Sequence, residues 1–125
     1  MKTRVVVTGL GAITPLGNSV KTFWENVCNG ISGVDKISRF DTKNFDAKIA
    51  AEVKNFDPQD YMEKKDAKRM DIFTQYAVAA AEMAVKHSCL KKDKIISERF
   101  GVILGSGIGG IETLEKQADV LSTKG

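Results

Sequence analysis

Val5-Val6-Val7-Thr8-Gly9-Leu10-Gly11-Ala12-Ile13-Thr14-Pro15-Leu16-Gly17-Asn18 is the stretch that indicates the fold most clearly. Residues 4–8 form a short, largely β-branched run that ends at a glycine, and this pattern predicts a buried strand. The glycines and the proline of residues 9–17 predict tight turns after it. Asn18 or Ser19 can then cap a helix that runs to about Cys28, because their side-chain oxygens accept N–H groups of the first turn.

A second strand and a glycine-rich loop are predicted near the other end of the chain. Residues 100–104 are again apolar, and they lead into Gly105-Ser106-Gly107-Ile108-Gly109-Gly110. The amphipathic pattern that follows predicts a helix over residues 111–121. The order of strand, helices, strand and helix indicates an α/β fold.

The longest helix is predicted over residues 67–88. One of its faces is apolar and rich in alanine, with Met70, Phe73, Ala77, Ala80, Ala81 and Ala84 as its members. Because alanine side chains allow a neighbouring backbone to approach closely, this helix is expected in a layered core. Residues 31–56 are less regular, with a strand predicted at residues 49–53. Asp57-Pro58 predicts a further helix start.

The composition is that of an ordinary globular protein. The chain has 125 residues, of which 42% are hydrophobic and 28% are charged, which is sufficient for one core. The net charge of +3 is too small to predict a nucleic-acid-binding protein. The apolar runs are too short to span a bilayer, and the run that imitates a signal peptide is interrupted early by glycine. We therefore expect neither nucleic acid nor a membrane as a partner.

Potential metal ligands and nucleophiles are scarce. The chain has one histidine, His87, and two cysteines, Cys28 and Cys89. These residues cannot form a zinc site with four Cys or His ligands, or any site that needs two histidines, so no metal site is predicted. The two cysteines do not form a disulfide framework, and reduced cytoplasmic thiols are expected. His87 and Cys89 diverge around a helix, so they do not predict a catalytic pair.

The loop of residues 105–110 has two interpretations. It matches the pattern G-x-G-x-x-G, in which glycines let the backbone reach the pyrophosphate of a dinucleotide. The second strand and the ribose-binding carboxylate of such a site have no room after Gly110. Close packing of two segments explains the same glycines, so a dinucleotide-binding oxidoreductase is the weaker alternative. Ser106 does not fit the nucleophile pattern G-x-S-x-G.

Lys64, Lys65, Lys68 and Arg69 form a basic cluster. If this segment is helical, the cations crowd one side of the helix, and each like-charge pair costs about a few tenths of a kcal/mol. A solvated helix face and a docking patch for an acidic partner both explain such a cluster.

Taken together, these segments resemble the β-ketoacyl-[acyl-carrier-protein] synthases, and among them the elongating type II condensing enzymes. The resemblance is carried by residues 5–18 and, in the same order and spacing, by Phe40-Asp41-Thr42, Lys68-Arg69-Met70-Asp71 and Gly105-Ser106-Gly107-Ile108-Gly109-Gly110. It implies an α/β, thiolase-like fold with two related halves, each with a mixed sheet between helices. Residues 1–125 are then expected to be the truncated, N-terminal portion of the first half. Residues 31–56 are expected to be an irregular, cap-like insertion within it.

The resemblance implies that the complete protein is an acyltransferase that catalyses a decarboxylative Claisen condensation in fatty-acid elongation. A cysteine thiolate takes an acyl group from acyl carrier protein, and malonyl-carrier protein loses carbon dioxide to give a carbanion that attacks the thioester. Two histidines stabilise the developing negative charge. These three residues match no position in this chain and are expected beyond Gly125. No catalytic residue is therefore assigned here, and the fragment alone is expected to be inactive.

Two sets of site residues can be carried over from the family. Gly107, Ile108 and Gly109 match the loop that lines the acyl-chain pocket near the dimer interface. Lys65, Lys68 and Arg69 match basic positions that meet acyl carrier protein, which brings the acyl and malonyl groups on its phosphopantetheine arm.

The resemblance further implies a cytoplasmic homodimer that needs no metal and no organic cofactor. A non-catalytic synthase homologue, such as a chain-length factor acting as a partner subunit, is a further alternative.

Overall fold

The computed structural model describes residues 3–125, apart from the side chain of residue 92. Its regular elements are α1 (Val20–Cys28), β1 (Val34–Lys36), β2 (Ile49–Ala51), α2 (Lys64–Ala67), α3 (Ile72–Ser88) and α4 (Ile111–Lys124). Short 3₁₀ turns lie at Pro58–Asp60, Lys92–Lys94 and Ser97–Arg99. No helix in residues 3–125 is both long enough and apolar enough to cross a membrane.

Helix α1 begins and ends where the sequence predicts. Ser19 is its cap, and its hydroxyl oxygen accepts the N–H of Thr22 at 3.1 Å. Asn18 has a different role, because its amide donates to the backbone oxygens of Lys54 and Asn55 at 2.9 and 3.0 Å. The two neighbouring polar residues therefore fix the start of α1 and tie it to the segment that follows the hairpin.

The helix predicted over residues 67–88 is broken into α2 and α3. The backbone of Asp71 is extended (φ −62°, ψ 155°), which ends the helical path before Ile72. The side chain of Gln75 donates to the backbone oxygens of Ala67 at 2.9 Å and Met70 at 3.0 Å. These bonds satisfy carbonyl groups that a continuous helix would have paired itself, so the break costs less than the pattern suggests.

Helix α3 packs at very short range against the loop Gly9-Leu10-Gly11, which we call the glycine loop. A Cβ atom at Gly9 would lie 2.1 Å from the backbone oxygen of Ala84, and one at Gly11 would lie 1.9 Å from that of Ala80. The N–H of Leu10, between them, donates to Nδ1 of His87 at 3.1 Å. The predicted close approach of a backbone to the alanine face is therefore confirmed.

The centre of the packing on α3 is shifted from the predicted face. Ala79 is fully buried and, with Ala67, is one of the two buried hydrophobic residues that the structure describes. Ala79 lies outside the predicted set, whereas Phe73 is 37% exposed. The sequence pattern therefore identifies the correct helix and places its most buried position one residue away.

The two predicted buried strands, residues 4–8 and 100–104, are neither paired nor buried. Val5 is 90% exposed and Ile103 is 98% exposed, and both segments run without strand partners among the described residues. An apolar, β-branched run becomes a strand only beside another strand that pairs its N–H and C=O groups. Residues 3–125 provide no such neighbour, so the prediction of buried strands is wrong for the chain by itself.

The sheet that does form is a short antiparallel hairpin within residues 31–56. β1 pairs with β2 in the register Val34↔Ala51, Asp35↔Ala50 and Lys36↔Ile49, which confirms a strand at residues 49–51 and shortens the predicted one. Outside the ladder, Lys54 Nζ donates to Asp35 at 2.8 Å. That residues 31–56 form a cap-like insertion stays a prediction.

The glycine–alanine contact predicts a position-specific cost of adding one methyl group. Gly11→Ala is expected to lower the free energy of unfolding by about 1–3 kcal/mol, because the added carbon overlaps the backbone of α3 and forces it to shift. Gly101→Ala is the matched control, since a Cβ there meets nothing within 4 Å. Urea denaturation followed by circular dichroism measures both variants. Equal midpoints for the two would contradict the packing described.

The hairpin is expected to lose stability on acidification. The hydrogen bond from Lys54 lowers the pKa of Asp35 below its ordinary 3.8, and the hydrogen bond from the Ser38 hydroxyl lowers the pKa of Glu52 below 4.5. Carboxyls with depressed pKa values stabilise the fold above their unfolded pKa, and this contribution is lost as the pH falls through the folded pKa.

Amide hydrogen exchange at residues 34–36 and 49–51 checks the prediction between about pH 6 and about pH 3. Protection relative to intrinsic rates should fall with pH in the wild type and fall less in Asp35→Asn/Glu52→Gln. Parallel profiles for the two proteins would show that the carboxylates contribute nothing to the hairpin.

Candidate functional site

Three of the segments that carry the family resemblance, residues 40–42, 68–71 and 105–110, each contribute to the lining of one groove. The groove has a volume of about 560 Å³ and lies between the start of α3, the start of α4 and the segment after β1. We call it the motif groove; its lining includes Phe40, Asp71, Ile72, Phe73, Gly110 and Ile111. Segments separated by some 70 residues in sequence are therefore neighbours in space, as expected if they serve one site.

Asp71 is the residue at which two of these segments touch. Its carboxylate Oδ1 accepts the hydroxyl proton of Thr113 at 2.5 Å. Its other oxygen, Oδ2, lies where a Cβ atom at Gly110 would come within 2.2 Å. Asp71 therefore links the first turn of α4 to the start of α3, and a side chain at position 110 would have to displace its carboxylate.

The loop Gly107-Ile108-Gly109 lies beside the motif groove and is exposed. The N–H of Gly109 donates to the Ser106 hydroxyl at 3.0 Å, and the positive φ of Gly109 (+80°) requires glycine there. Ile108 is 80% exposed. Gly109 contributes to the lining of the groove, whereas Ile108 does not. In this chain, the predicted acyl-pocket side chain is thus left facing solvent.

The predicted docking residues lie on and just after α2. Lys65 is in the helix, Lys68 ends it with helical backbone angles, and Arg69 follows. All three side chains are exposed. In the part of the chain that the structure describes, none of the three is in an ion pair. Their charges are therefore available to a partner.

Lys68 and Arg69 line a second, polar groove of about 350 Å³, which Lys65 does not reach. Lys116 of α4 also lines this groove and pairs with Glu112 at 2.5 Å. That hydrogen bond raises the pKa of Lys116 above 10.5, and the negative charge of Asp71 adds to the effect. Asp71 and Glu112 line both grooves, so the groove beside the predicted basic patch and the motif groove share two acidic residues.

The cysteines and the histidine take no part in either groove. Cys28 and Cys89 are exposed and free, and the Sγ of Cys89 approaches the backbone oxygen of His87, not its imidazole, at 3.9 Å. The imidazole nitrogen Nδ1 of His87 already accepts the N–H of Leu10. The described residues contain no cluster of three or more Cys, His, Asp or Glu side chains that could hold a metal ion.

Thr113 is a residue of this region that sequence reasoning missed. Its partner Asp71 is 42 positions away, and no local pattern links a threonine in the first turn of one helix to the cap of another. The signal that existed was the glycine at position 110, since a glycine with an ordinary φ of −83° needs a steric reason rather than a conformational one.

Comparisons with known proteins match almost the whole chain to one family. Residues 2–125 match the family described as "Beta-ketoacyl synthase, N-terminal domain". Among curated relatives, 3-oxoacyl-[acyl-carrier-protein] synthase 2 of Staphylococcus aureus (strain COL) is 51% identical over 122 residues, 98% of this chain. The protein of the same name from Vibrio cholerae is 46% identical over 124 residues, 99% of this chain. The chain spans 30% of the length of these relatives.

Solved structures give the same result for the fold. "The ishigamide ketosynthase/chain length factor" matches with a TM-score of 0.75 and 32% identity, over 94% of this chain and 30% of its own. A β-ketoacyl synthase from Burkholderia phymatum STM815 matches with a TM-score of 0.77 and 27% identity, over 99% of this chain and 31% of its own.

A third solved structure is the complex AntDE:AntF, a type II PKS acyl-carrier protein with its ketosynthase. It matches with a TM-score of 0.74 and 29% identity, over 99% of this chain and 32% of its own. These likenesses confirm the predicted α/β, thiolase-like fold.

Proposed function

This chain belongs to the β-ketoacyl synthase family, and we propose that it is the N-terminal part of a 3-oxoacyl-[acyl-carrier-protein] synthase of the elongating type. The observation that carries the proposal is 51% identity to a synthase of that name across 98% of the chain. Family membership also favours a condensing enzyme over the dinucleotide-binding alternative, because the glycines of residues 105–110 belong to a segment that the family shares.

The proposed reaction joins two carrier-bound thioesters. A cysteine thiolate attacks the acyl thioester, the acyl group moves to the cysteine sulfur, and the carrier leaves as its thiolate, which takes up a proton from solvent. Decarboxylation of malonyl-carrier protein breaks a C–C bond, releases carbon dioxide and leaves a carbanion. The carbanion attacks the acyl-cysteine carbonyl, and collapse of the tetrahedral intermediate releases the enzyme thiolate and the 3-oxoacyl thioester.

This chain contributes binding surface to that reaction rather than reacting groups. Its single imidazole, that of His87, is already held by the loop of residues 9–11, whereas the reaction implied by the family uses two histidines and a cysteine. We propose that those three residues lie in the remainder of the complete synthase. The match covers 30% of the relative's length, so 70% of that relative lies outside it. The chain by itself is then inactive.

Acyl carrier protein is the proposed macromolecular partner. Lys65, Lys68 and Arg69 are exposed and free of ion pairs within the described residues, so an acidic surface can pair with them without displacing an existing partner. Such patches accelerate encounter and fix orientation. The complex AntDE:AntF contains a ketosynthase with its acyl-carrier protein, which supports the same class of partner here.

The loop Gly107-Ile108-Gly109 is proposed to line the acyl-chain pocket next to a dimer interface. Its support is the placement of the loop beside the apolar motif groove, and the 80% exposure of Ile108. An aliphatic side chain that projects from a glycine-hinged loop is suited to contact an acyl chain or a second subunit. A cytoplasmic homodimer is proposed for the complete protein, and the free thiols of Cys28 and Cys89 are compatible with a reducing compartment.

A chain-length factor is the second candidate. The support for it is the ketosynthase/chain length factor among the matching solved structures, at 32% identity. The synthase is preferred, because the curated relatives named as synthases are 46–51% identical. The presence of the cysteine and both histidines in the complete protein separates the two candidates.

The docking patch predicts a local effect of charge reversal. In the complete synthase, Lys65→Glu/Lys68→Glu/Arg69→Glu should weaken acyl carrier protein binding by about tenfold to a hundredfold, because three exposed ion pairs are each worth about 0.2–1 kcal/mol and reversal adds repulsion. The loss should shrink at high salt. Binding is measured by fluorescence anisotropy with a labelled carrier protein at low and high salt.

The matched control is Lys86→Glu/Lys91→Glu/Lys94→Glu. It makes the same change in net charge near the other end of α3, whose 17 residues span about 25 Å. This variant should bind nearly as tightly as the wild type. If both triple variants lose affinity equally, net charge and not the patch governs docking, and unchanged affinity for the first variant at low salt would refute the patch.

A further inference from the structure

Helix α4 is held to the rest of the described chain by a single hydrogen bond. Between residues 105–125 and residues 3–104, the hydrogen bond from Thr113 to Asp71 is the one that the structure describes. Elsewhere α4 is exposed along its length. Among the described residues, this bond is therefore the polar contact that fixes the start of α4 relative to α3.

Asp71 occupies a helix cap without capping the helix. It is the residue before α3, where an aspartate normally accepts an N–H of the first turn with its own carboxylate. Its side chain makes no such bond. The carboxylate instead reaches across to Thr113. A residue that gives up a local interaction for one across 42 positions has a role beyond its own helix.

Gly110 lies against the same carboxylate on the α4 side of the contact. Its φ of −83° is open to any residue, so backbone conformation does not require glycine there. The obstacle to a side chain is the carboxylate of Asp71, which a Cβ atom would meet at 2.2 Å from Oδ2. Asp71, Gly110 and Thr113 therefore form one clamp, which we call the α4 clamp.

We propose that Asp71 is a positioning residue that fixes the loop Gly107-Ile108-Gly109 through the α4 clamp and thereby sets the discrimination between acyl chains of different length. The step to acyl chains rests on the proposed function, in which Ile108 contacts the acyl group. Ile108 is only two residues from Gly110, and the residue between them, Gly109, has a positive φ of +80°. Release of the clamp thus frees the loop that carries Ile108.

The contact is charge-assisted and short, which suits it to this role. A hydroxyl that donates to an ionised carboxylate makes a shorter and stronger bond than a neutral pair. Only one atom pair is involved, so the clamp can be removed without disturbing the packing of α3 on the glycine loop, which lies at Ala80 and Ala84.

The first test measures amide hydrogen exchange in the complete protein and needs no activity. Asp71→Ala and Thr113→Val should each speed exchange at residues 107–116 by about fivefold to tenfold, the effect of losing one net hydrogen bond, while α1 keeps its rates. Thr113→Ser retains the hydroxyl and should restore the wild-type rates. Unchanged exchange at residues 107–116 in both Asp71→Ala and Thr113→Val would overturn the proposal.

Gly110→Ala tests the clamp without touching either bonding partner. The added methyl group displaces the Asp71 carboxylate, so this variant should also speed exchange at residues 107–116. In the Asp71→Ala background the obstacle is gone, and Gly110→Ala should have little further effect. Full additivity of the two substitutions would show that position 110 is constrained by something other than Asp71.

The second test addresses acyl-chain discrimination in the complete synthase. Asp71→Ala should change the ratio of kcat/KM for long against short acyl thioesters by about fivefold or more, and Thr113→Ser should leave the ratio unchanged. A merely structural defect lowers kcat/KM for long and for short acyl thioesters by the same factor, which leaves the ratio unchanged. An altered exchange pattern with an unchanged ratio would contradict the link to specificity. A wild-type synthase without condensing activity would refute the proposed function while leaving the clamp intact.

Discussion

The close contact between the loop Gly9-Leu10-Gly11 and α3 is the constraint on which the rest of the structure depends. Backbone meets backbone at Ala80 and Ala84, at distances that leave no room for a Cβ atom on either glycine. This contact places the first segment of the chain across the long helix, and the bond from Leu10 to His87 fixes its register. The segment after β1 and the start of α4, which meet the start of α3 at the motif groove, are positioned relative to this loop and this helix.

The energetics of the chain are unusual, because most of its large apolar side chains are exposed. Val5 and Ile103 lie in extended segments that have the composition of core strands and the exposure of surface loops. Burial of such side chains is worth about 1.5–3 kcal/mol each, so these segments are favoured sites for pairing with further chain. The proposed function accounts for this exposure, since the matched region is 30% of the relatives' length.

Local signals predicted the elements, and specific side-chain hydrogen bonds decided the helix break and the helix attachment that the sequence did not predict. The Ser19 cap of α1 could be predicted because a cap and its helix are adjacent in sequence. The alanine-rich face of α3 likewise predicted a close backbone neighbour. Bonds from the Gln75 side chain stabilise the break before α3, and a bond between Asp71 and Thr113 attaches α4. Neither has a periodic or spacing signature. The candidate site residues were found through a family resemblance, and the α4 clamp only through geometry.

A condensation assay on the complete synthase that contains this chain tests the central claim most directly. With an acyl-carrier thioester and malonyl-carrier protein as substrates, the account predicts one carbon dioxide released for each 3-oxoacyl thioester formed, with the product two carbons longer than the acyl substrate. The 125-residue chain alone should give neither product. Absence of carbon dioxide and of 3-oxoacyl product from the complete protein, with both carrier thioesters present, would contradict the account.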